Sequence, residues 1–246
     1  MKKAWLCRID HAGCPFCGGC QFAISRIIPD QLADTWELSK NTRLLFDDRE
    51  GQHCTNCGMS RRVRMLLWSI RQIMPNLTES SVLHINQINR LGAALKSAGR
   101  LVETLHDPVQ EFGFAFPGLV NQDLTKLTYE DRQFDLVVHS ETLEHVHDFR
   151  KALSEIERVL KPGGFQIYTI PLLHDRKTRQ RIALSANGQE THLLPLSFHG
   201  SEGEYPVVWE FGRDYFTERK KKISRLHYDN YWRNRTVFSI IERKPL

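Results

Sequence analysis

The chain has 246 residues, of which 41% are hydrophobic and 26% charged, and its formal net charge is +5. These values are ordinary for a soluble globular protein and exclude wholesale disorder, a collagen-like repeat and a disulfide-stapled miniprotein. No apolar run reaches the ~18 residues that a membrane-spanning helix needs. Arg8, Asp10 and His11 interrupt the stretch where a secretory signal would be apolar, so we expect a cytoplasmic protein with no membrane partner.

Five of the six cysteines lie in two short groups. Cys14 and Cys17 form a C-P-F-C pair that Cys20 follows, and Cys54 and Cys57 form a C-T-N-C pair. In a reducing compartment such pairs are better explained by metal than by disulfides. Two pairs complete a four-thiolate zinc site with no position left open for water. We therefore predict that Cys14, Cys17, Cys54 and Cys57 bind a structural zinc ion.

Cys20 creates an overlapping C-x-x-C pair and therefore competes with Cys14 or Cys17 as a ligand. We prefer Cys14 and Cys17, because the Pro-Phe between them and Gly18 after them resemble the turn of a zinc knuckle. The alternative to metal is a redox-active C-x-x-C motif, but Gly18 and Gly19 disfavour the helix that must follow such a motif. Three further residues are reserve ligands: Cys7, His11 and His53.

After the second pair, apolar residues recur at helical spacing as far as Pro75, and they are Val63, Leu66, Leu67, Ile70 and Met74. The pattern predicts a bridging helix within residues 61–79. Arg61, Arg62 and Arg64 are expected on the other, solvated face of this helix, where they are also available to phosphates.

The chain is thereby divided into three parts. Residues 1–60 form a zinc-knuckle module, residues 61–79 the bridging helix, and residues 80–246 a larger domain. Within the module, we expect a small core that contains Trp36, Leu44, Leu45 and Phe46.

From residue 81 onward, strand-like and helix-like segments alternate. The strand-like segments read V-L-H-I-N, R-L-V-E-T-L, F-D-L-V-V-H-S and F-Q-I-Y-T-I-P. The helix-like segments read A-L-K-S-A-G and F-R-K-A-L-S-E-I-E-R-V-L, and the second is followed by K-P-G-G. This alternation predicts an α/β fold in which a parallel sheet carries helices on both faces. Ligands of such sheets bind beyond the carboxyl ends of the strands.

Residues 122–171 carry the run F-D-L-V-V-H-S-E-T-L-E-H, an amphipathic helix and R-V-L-K-P-G-G. This segment closely resembles the centre of class I S-adenosylmethionine-dependent methyltransferases of the type 11 group. The C-T-N-C-G run and the late F-H-G and F-G-R-D-Y-F elements resemble a subgroup with an N-terminal cysteine-knuckle module. The resemblance covers residues 80–246 and implies a Rossmann-like sheet whose last two strands form an antiparallel pair.

The resemblance also implies which residues bind S-adenosylmethionine. The first strand and its turn would hold the methionine end, Glu103 the ribose hydroxyls and Asp123 the adenine amino group. A solvated strand end is the alternative for Glu103, and a turn-capping role is the alternative for Asp123. The full set of expected cofactor-binding residues is His84, Asn86, Glu103, Asp123, Leu124, His139, Ser140 and Glu141.

For catalysis the candidates are His145, His199 and Asp214. A histidine near an acceptor hydroxyl suits a general base, whereas the alternative for the Leu-Glu-His triplet that ends at His145 is a structural helix start. Methyl transfer depends mainly on positioning the acceptor in line with an already activated methyl group. The residues therefore leave oxygen, nitrogen and carbon acceptors open, and they leave the oligomeric state open as well.

The turn after the first strand departs from the family pattern. Residues 86–92 read N-Q-I-N-R-L-G, where most members carry a glycine-rich G-x-G-x-G loop. This turn and the arginine cluster favour an alternative function, a non-catalytic, degenerate methyltransferase fold that binds RNA or a protein partner. Asp123 and the intact central segment favour the enzyme. We predict an S-adenosylmethionine-dependent methyltransferase with a small-molecule acceptor and a structural zinc site.

Overall fold

A computed structural model describes residues 6–8, 13–116, 118–199, 205–229 and 237–246. Its strands are β1 (Leu6–Arg8), β2 (Phe22–Ile24), β3 (Gln52–Cys54), β4 (Ser81–His84), β5 (Arg100–Leu105), β6 (Ala115–Phe116), β7 (Leu119–Asn121), β8 (Phe134–Ser140), β9 (Leu160–Thr169), β10 (Leu172–Leu173), β11 (Arg179–Gln180), β12 (Ile182–Leu184), β13 (Glu190–His192), β14 (Phe198–His199), β15 (Tyr205–Pro206), β16 (Trp209–Gly212), β17 (Ile223–Asp229) and β18 (Val237–Arg243). Its α-helices are α1 (Asp30–Thr35), α2 (Lys40–Phe46), α3 (Arg61–Ile73), α4 (Asn89–Leu95), α5 (Phe149–Val159) and α6 (Tyr215–Glu218). A π-helical turn, Asp47–Gly51, and a 3-10 turn, Leu143–His145, are also present.

Nine strands of the described residues form the main sheet, in the order β1-β17-β18-β9-β8-β4-β5-β7-β6. Strands β7, β5, β4, β8 and β9 are parallel, whereas β18 runs antiparallel to β9 and to β17. The strand order reverses between β4 and β8, so the switch point of the sheet lies beyond their carboxyl ends. The predicted Rossmann-like α/β sheet is confirmed, and so is the antiparallel pairing of the last two strands.

Helices cover both faces of the parallel strands, as predicted. Because side chains alternate along a strand, Val137 and Val138 of β8 enter different core clusters. Val137 packs in the cluster that contains Leu153 of α5, and Val138 packs in the cluster that contains Leu66 of α3. Both faces of β8 are therefore buried, which explains its nearly continuous apolar sequence.

The two long helices begin at capping side chains. Ser60 Oγ accepts a hydrogen bond from the amide of Val63 at the start of α3, and Asp148 Oδ1 accepts one at the start of α5. Helix α3 ends at Ile73, before Pro75, as the bridging-helix prediction requires. The buried Cys54 belongs to the same core cluster as α3 and the sheet. The cysteine-bearing segment is thus packed onto the larger domain, and the division at residues 60 and 79 stays a prediction.

The arginines of α3 do not form a solvated face, and that prediction is wrong. Arg61 and Arg64 are only 2% and 5% exposed. Arg64 donates to the carbonyl of Met59 at 2.8 Å, and its guanidinium lies over the Phe22 ring, 4.3 Å from the centroid. The periodicity of α3 shows which face meets the sheet, but the cysteine-bearing segment covers the opposite face. These two guanidinium groups are therefore not accessible to a phosphate group at the surface.

We call the segment that carries strands β12–β15, residues 182–199 and 205–206, the arm. Helices α1 and α2 connect the N-terminal part of the chain to it. Trp36 and Phe46 are buried in one cluster with Leu173 and Val207, as predicted for the first two. Leu44 and Leu45, predicted in the same core, are half-buried and lie outside that cluster. The indole Nε1 of Trp36 donates to the hydroxyl of a serine in the arm, Ser197. No helix in the described ranges has the length and apolarity to span a membrane.

Candidate active site and metal centre

The sulfur atoms of Cys14, Cys17, Cys54 and Cys57 all lie within 4.8 Å of one another. The Cys14–Cys57 and Cys17–Cys54 sulfur pairs are each 3.6 Å apart. Four thiolates at ~2.3 Å from a tetrahedral zinc ion have sulfur–sulfur distances of about 3.8 Å. Two of the six sulfur–sulfur distances are thus close to the tetrahedral value, so the four side chains are placed to hold a zinc ion, and three of them are buried.

Both cysteine pairs use the same turn. The amide of Gly18 donates to the carbonyl of Cys14 at 2.8 Å, and the amide of Gly58 donates to the carbonyl of Cys54 at the same distance. Both glycines have φ of +74°, a left-handed conformation that favours glycine. The repeated geometry aims two sulfurs of each turn at one point, as expected for a pair of zinc knuckles.

The competing ligands lie elsewhere. The exposed Cys20 directs its sulfur to the carbonyl of Gly18 at 3.5 Å and is not one of the four clustered cysteines. The Nδ1 of His53 lies 3.0 Å from the carbonyl of Gly51. The side chain of Cys7 and the whole of His11 lie outside the described residues. Among the described residues, the structure thus brings together the four cysteines that the sequence favours.

A cavity of about 1490 Å³ opens beyond the carboxyl ends of four parallel strands. It is lined by residues 86–88 after β4, 104–106 at the end of β5, 122–126 after β7 and 140–142 at the end of β8. This is the switch point of the sheet, where α/β proteins bind ligands. Pockets for a single drug-sized ligand usually measure about 300–1,000 Å³. The cavity therefore has room for two small molecules.

Five of the predicted cofactor-binding residues line this cavity, and they are Asn86, Asp123, Leu124, Ser140 and Glu141. Asn86 and Glu141 follow β4 and end β8 with φ of 52° and 51°. Strained left-handed residues of this kind concentrate at functional sites. Asp123 also forms the turn cap kept as its alternative role, because its Oδ1 accepts from the amide and hydroxyl of Thr125 at 2.7 and 2.8 Å.

Three other predicted cofactor residues do not line the cavity. Glu103 Oε1 lies 2.9 Å from Nδ1 of the buried His84, beneath α4, where a Cβ on Gly92 would come within 2.2 Å of that oxygen. Strand β5 continues two residues beyond Glu103, so its cavity-facing end is formed by other side chains. His139 points to the opposite side of β8 from Ser140, because strand side chains alternate.

The environment of His139 explains its neutral, structural state. Its Nε2 lies 2.8 Å from Gln166 Nε2, and its ring stacks on Tyr168 with centroids 4.7 Å apart. Burial lowers the pKa of His139 to about 3. The structure thus places His139 inside the sheet, away from the cavity lining, and its contact with the cofactor stays a prediction.

The three catalytic candidates are separated by the fold. His145 lines the cavity. Asp214 does not, because it precedes α6 and its Oδ1 accepts from the amide and hydroxyl of Thr178 at 2.7 and 2.8 Å. His199 belongs to β14, but its side chain lies outside the described residues.

Both nitrogens of His145 face acceptors. Nδ1 lies 2.9 Å from the carbonyl of Pro206, to which it donates, and Nε2 lies 3.6 Å from the carboxylate of the buried Glu144. The distance from Nε2 to the carboxylate is longer than a hydrogen bond, so the bond from Nδ1 to Pro206 is the one that orients the ring. This arrangement suits His145 as a link between the 3-10 turn and the arm.

A charged cluster that sequence reasoning missed lies beside Glu141 in the cavity floor. Arg49 Nη2 donates to Glu141 Oε2 at 2.9 Å, and Arg49 Nε donates to Glu50 Oε1 at 2.8 Å. Arg62 Nε donates to Glu50 Oε2 at 2.7 Å, and its Nη1 donates to the hydroxyl of Ser140. Arg49 and Glu50 lie in the π-helical turn, a structure that frequently marks functional sites. The charged run D-D-R-E-G directly before the second cysteine pair is the signal in the sequence.

The pKa values of two carboxyl groups in the cluster are shifted in opposite directions. Burial raises the pKa of Glu141 to about 7, although Arg49 and Arg62 oppose the shift. Burial acts on Glu50 as well, but Arg62 and Arg49 together hold its pKa below the ordinary value. Glu141 Oε1 is buried and has no hydrogen-bond partner among the described residues. Glu141 thus presents a free oxygen that gains or loses a proton near neutral pH.

The central part of the chain matches a known protein family. Residues 84–168, from the end of β4 to β9, match the family model described as "Methyltransferase domain". This segment contains the last residue of β4, the whole of β8 and the predicted type 11 signature. Residues 84–168 thus match a methyltransferase domain, in agreement with the predicted resemblance to methyltransferases.

Curated relatives match over a short segment. The chain is 42% identical over 55 residues to phthiotriol/phenolphthiotriol dimycocerosates methyltransferase 1 of Mycobacterium ulcerans, which covers 22% of this chain and 20% of that protein. It is 45% identical over 49 residues to a demethylmenaquinone methyltransferase of Staphylococcus aureus, which covers 20% of each. The matched segment thus spans about one fifth of the length of these relatives.

Solved structures resemble the chain over a longer stretch. The PH0226 protein of Pyrococcus horikoshii has a TM-score of 0.45 and 15% identity, and the match covers 75% of this chain and 90% of that one. An S-adenosylmethionine dependent methyltransferase of Mesorhizobium loti has a TM-score of 0.41 and 14% identity, and the match covers 73% and 98%.

Proposed function

We propose that the chain transfers a methyl group from S-adenosylmethionine to a small-molecule acceptor. The observation that carries this proposal is the cavity at the switch point, whose lining includes strand ends of the segment matched to a methyltransferase domain. Its size suits a cofactor and an acceptor bound side by side. The same chemistry fits a cytoplasmic protein, where the four cysteine thiols stay reduced.

The cavity residues fit the cofactor. Asn86 and the turn after it would hold the methionine end, and Asp123 with Leu124 would hold the adenine. Asn86 takes the left-handed conformation at a turn where most family members place glycine, and asparagine tolerates that conformation best among the other residues. The absence of the glycine-rich motif from the sequence is thereby reconciled with cofactor binding. When bound, the cofactor supplies a methyl group on a positively charged sulfonium.

The role of Glu103 as the ribose ligand finds no such support from its contacts, because its carboxylate is engaged with His84.

We propose that Glu141, rather than His145, takes the proton released by the acceptor. Glu141 lines the cavity, its Oε1 has no hydrogen-bond partner among the described residues, and its pKa of about 7 suits a general base at neutral pH. His145 instead uses its Nδ1 in a hydrogen bond to the carbonyl of Pro206, and Asp214 lies outside the cavity lining. The proposed contacts of the acceptor's reacting group thus lie at the end of β8.

We also propose that Cys14, Cys17, Cys54 and Cys57 hold zinc in a structural role. Four thiolates fill a tetrahedral coordination sphere, so the metal has no position for substrate. The second pair is flanked by cavity residues, because Glu50 precedes Cys54 by four positions and Arg62 follows Cys57 by five. A metal ion at the pair would fix both ends of the Glu50–Arg62 ion pair. In this proposal residues 1–60 form the zinc module, residues 61–79 the bridge and residues 80–246 the catalytic domain.

The test is calorimetric titration of the zinc-loaded protein with S-adenosylmethionine and with S-adenosylhomocysteine. We expect micromolar dissociation constants for both, since both share the adenosine and amino acid groups that the cavity would hold. No binding of either compound up to millimolar concentration would contradict the proposed function. It would favour the alternative, a non-catalytic fold that binds a partner. The buried Arg61 and Arg64 would offer no surface to RNA in that case.

Asp123→Ala is expected to weaken S-adenosylhomocysteine binding by about tenfold or more, because a carboxylate hydrogen bond to the ligand is lost. The measurement is the same titration, with thermal unfolding to check the fold. Thr125→Ala is the matched control, since it removes the hydroxyl bond to Asp123 and keeps both the amide bond and the carboxylate. Equal loss of affinity in both variants would assign Asp123 to the turn alone.

A further inference from the structure

The outer part of the cavity differs in character from its floor. One wall is formed around α1 by Ile27, Leu32 and Trp36, and the arm contributes Leu184, Phe198 and Tyr205. The charged groups Arg49, Glu50, Arg62 and Glu141 lie together at the floor. The cavity thus combines an apolar, aromatic wall with a polar end at β8.

Several of these apolar side chains are open to solvent although they line a cavity. Ile27 is 40% exposed, Leu184 48%, Phe198 36% and Tyr205 53%. Single exposed apolar residues are ordinary, but a group of them at a cavity mouth marks a binding surface. Their positions on both α1 and the arm mean that a ligand between these elements would cover all four.

Buried charges hold the two walls apart and in place. Glu210 is fully buried and forms ion pairs with Arg176, Arg179 and Arg181. Arg176 also donates to the carbonyls of Trp36 and Glu37 at 3.0 and 2.8 Å, just after α1. These bonds tie α1 to the strands that carry the arm. The apolar wall is therefore a built surface rather than a gap between unconnected elements.

We propose that the acceptor is a hydrophobic molecule with a hydroxyl group at one end, and that its apolar body lies between α1 and the arm. This inference rests on the proposed methyl transfer and specifies its substrate class. The hydroxyl oxygen would reach the cavity floor, where Glu141 Oε1 is buried without a hydrogen-bond partner among the described residues. In the transfer, the acceptor O–H bond breaks and its proton passes to Glu141. The oxygen forms the new bond to the methyl carbon, and the bond from sulfur to that carbon breaks with its electron pair left on sulfur.

A homologous series of 4-alkylphenols, from 4-ethylphenol to 4-octylphenol, tests this substrate class by binding alone. Titrations are made with and without saturating S-adenosylhomocysteine, so no turnover is needed. We expect the affinity to rise about fourfold for each added methylene, the gain for transfer of that group from water to an apolar site. Hexylbenzene, which lacks the hydroxyl, is expected to bind about tenfold more weakly than 4-hexylphenol.

Two variants of the arm locate the binding site. Leu184→Ser removes an apolar side chain at the cavity mouth, and Leu193→Ser is the matched control. Leu193 is 54% exposed on the same arm but does not line the cavity. We expect Leu184→Ser to reduce the affinity for 4-octylphenol about fivefold or more and Leu193→Ser to leave it unchanged.

The outcomes separate this inference from the function on which it rests. If S-adenosylhomocysteine binds but alkylphenol affinity does not grow with chain length, the hydrophobic acceptor is overturned and the methyltransferase is kept. Equal losses in Leu184→Ser and Leu193→Ser would indicate diffuse adsorption to the arm and would also overturn it. If S-adenosylhomocysteine fails to bind, the proposed function itself is wrong, whatever the alkylphenol series shows.

Discussion

Cys54→Ser is expected to release zinc and to lower the free energy of unfolding by at least about 3 kcal/mol, because binding energy of a structural zinc ion is folding energy. Cys54 is fully buried in the core cluster that also contains Leu66 of α3 and Val82 of β4. Loss of the metal is therefore expected to destabilise the sheet as well as the cysteine-bearing turns. Metal content and the unfolding transition of the purified variant are the measurements.

Cys20→Ser is the matched control for this variant. It changes an exposed cysteine in the same segment that lies outside the four-sulfur cluster. We expect it to keep one zinc ion per chain and the wild-type unfolding temperature. A Cys54→Ser protein with stoichiometric zinc and unchanged stability would refute the four-thiolate site.

The cysteine substitution is also expected to weaken cofactor binding, although no cysteine lines the cavity. The reason is the position of the second pair between Glu50 and Arg62, whose ion pair lies next to Ser140. Without the metal, neither end of this ion pair is held by a rigid turn. The titration with S-adenosylhomocysteine, made at a temperature where the variant is folded, measures this coupling.

The sequence predicts the sheet well because both faces of its central strands are buried. Strand β8 matches its predicted segment from Phe134 to Ser140, and β5 matches from Arg100 to Leu105. Continuous apolar runs bounded by polar turns leave little freedom in where such strands begin and end. Helix α4 is less well predicted, since it begins at Asn89, before the expected A-L-K-S-A-G segment.

The site residues are harder to predict, because a one-residue step along a strand reverses the side that a side chain faces. His139 and Ser140 are neighbours in the sequence, yet only Ser140 reaches the cavity. Glu103 is an acid near the end of the correct strand, but it faces His84 under α4. A family resemblance predicts where the strand ends. The register and twist of the sheet then decide which carboxylate is available to a ligand in the cavity.

The buried charges could not be predicted from local pattern at all. Arg49, Glu50 and Arg62 read as solvated residues in the sequence, and they become cavity residues only because β8 ends against them. Glu141 breaks local preferences twice, with a left-handed backbone and a buried carboxylate. Conflicts between local preference and fold concentrate at functional sites. Glu141 is therefore the residue on which the proposed chemistry depends most.

Glu141→Gln is expected to reduce the rate of methyl transfer about 100-fold or more, the usual contribution of a general base. The measurement is single-turnover transfer from labelled S-adenosylmethionine to 4-hexylphenol across pH. The wild-type rate should rise with pH through about 7, where Glu141 loses its proton, and the variant should lack that rise. His145→Gln is the matched control in the same cavity and should keep the pH dependence. Two results would contradict Glu141 as the base. One is a wild-type rate that does not change with pH, and the other is a rise with pH that His145→Gln loses and Glu141→Gln keeps.

The same substitution is expected to stabilise the protein at alkaline pH. The pKa of Glu141 is raised from 4.5 to about 7 by burial, so the folded state holds this proton more tightly than the unfolded state. Stability linked to Glu141 is therefore fully present below pH ~4.5 and is lost as the pH rises through about 7. Glutamine does not titrate, so Glu141→Gln should unfold at a higher temperature than wild type above pH 7 and show no such gain near pH 4.

Cofactor affinity distinguishes the base from an alternative role for the same carboxylate. If Glu141 faced the sulfonium, the variant would bind S-adenosylmethionine more weakly but would keep its affinity for the uncharged thioether of S-adenosylhomocysteine. If Glu141 is the base, the ratio of the two affinities should match that of wild type while the rate falls. A more stable, slower enzyme with an unchanged affinity ratio is the combination that only the proton-accepting role of Glu141 predicts.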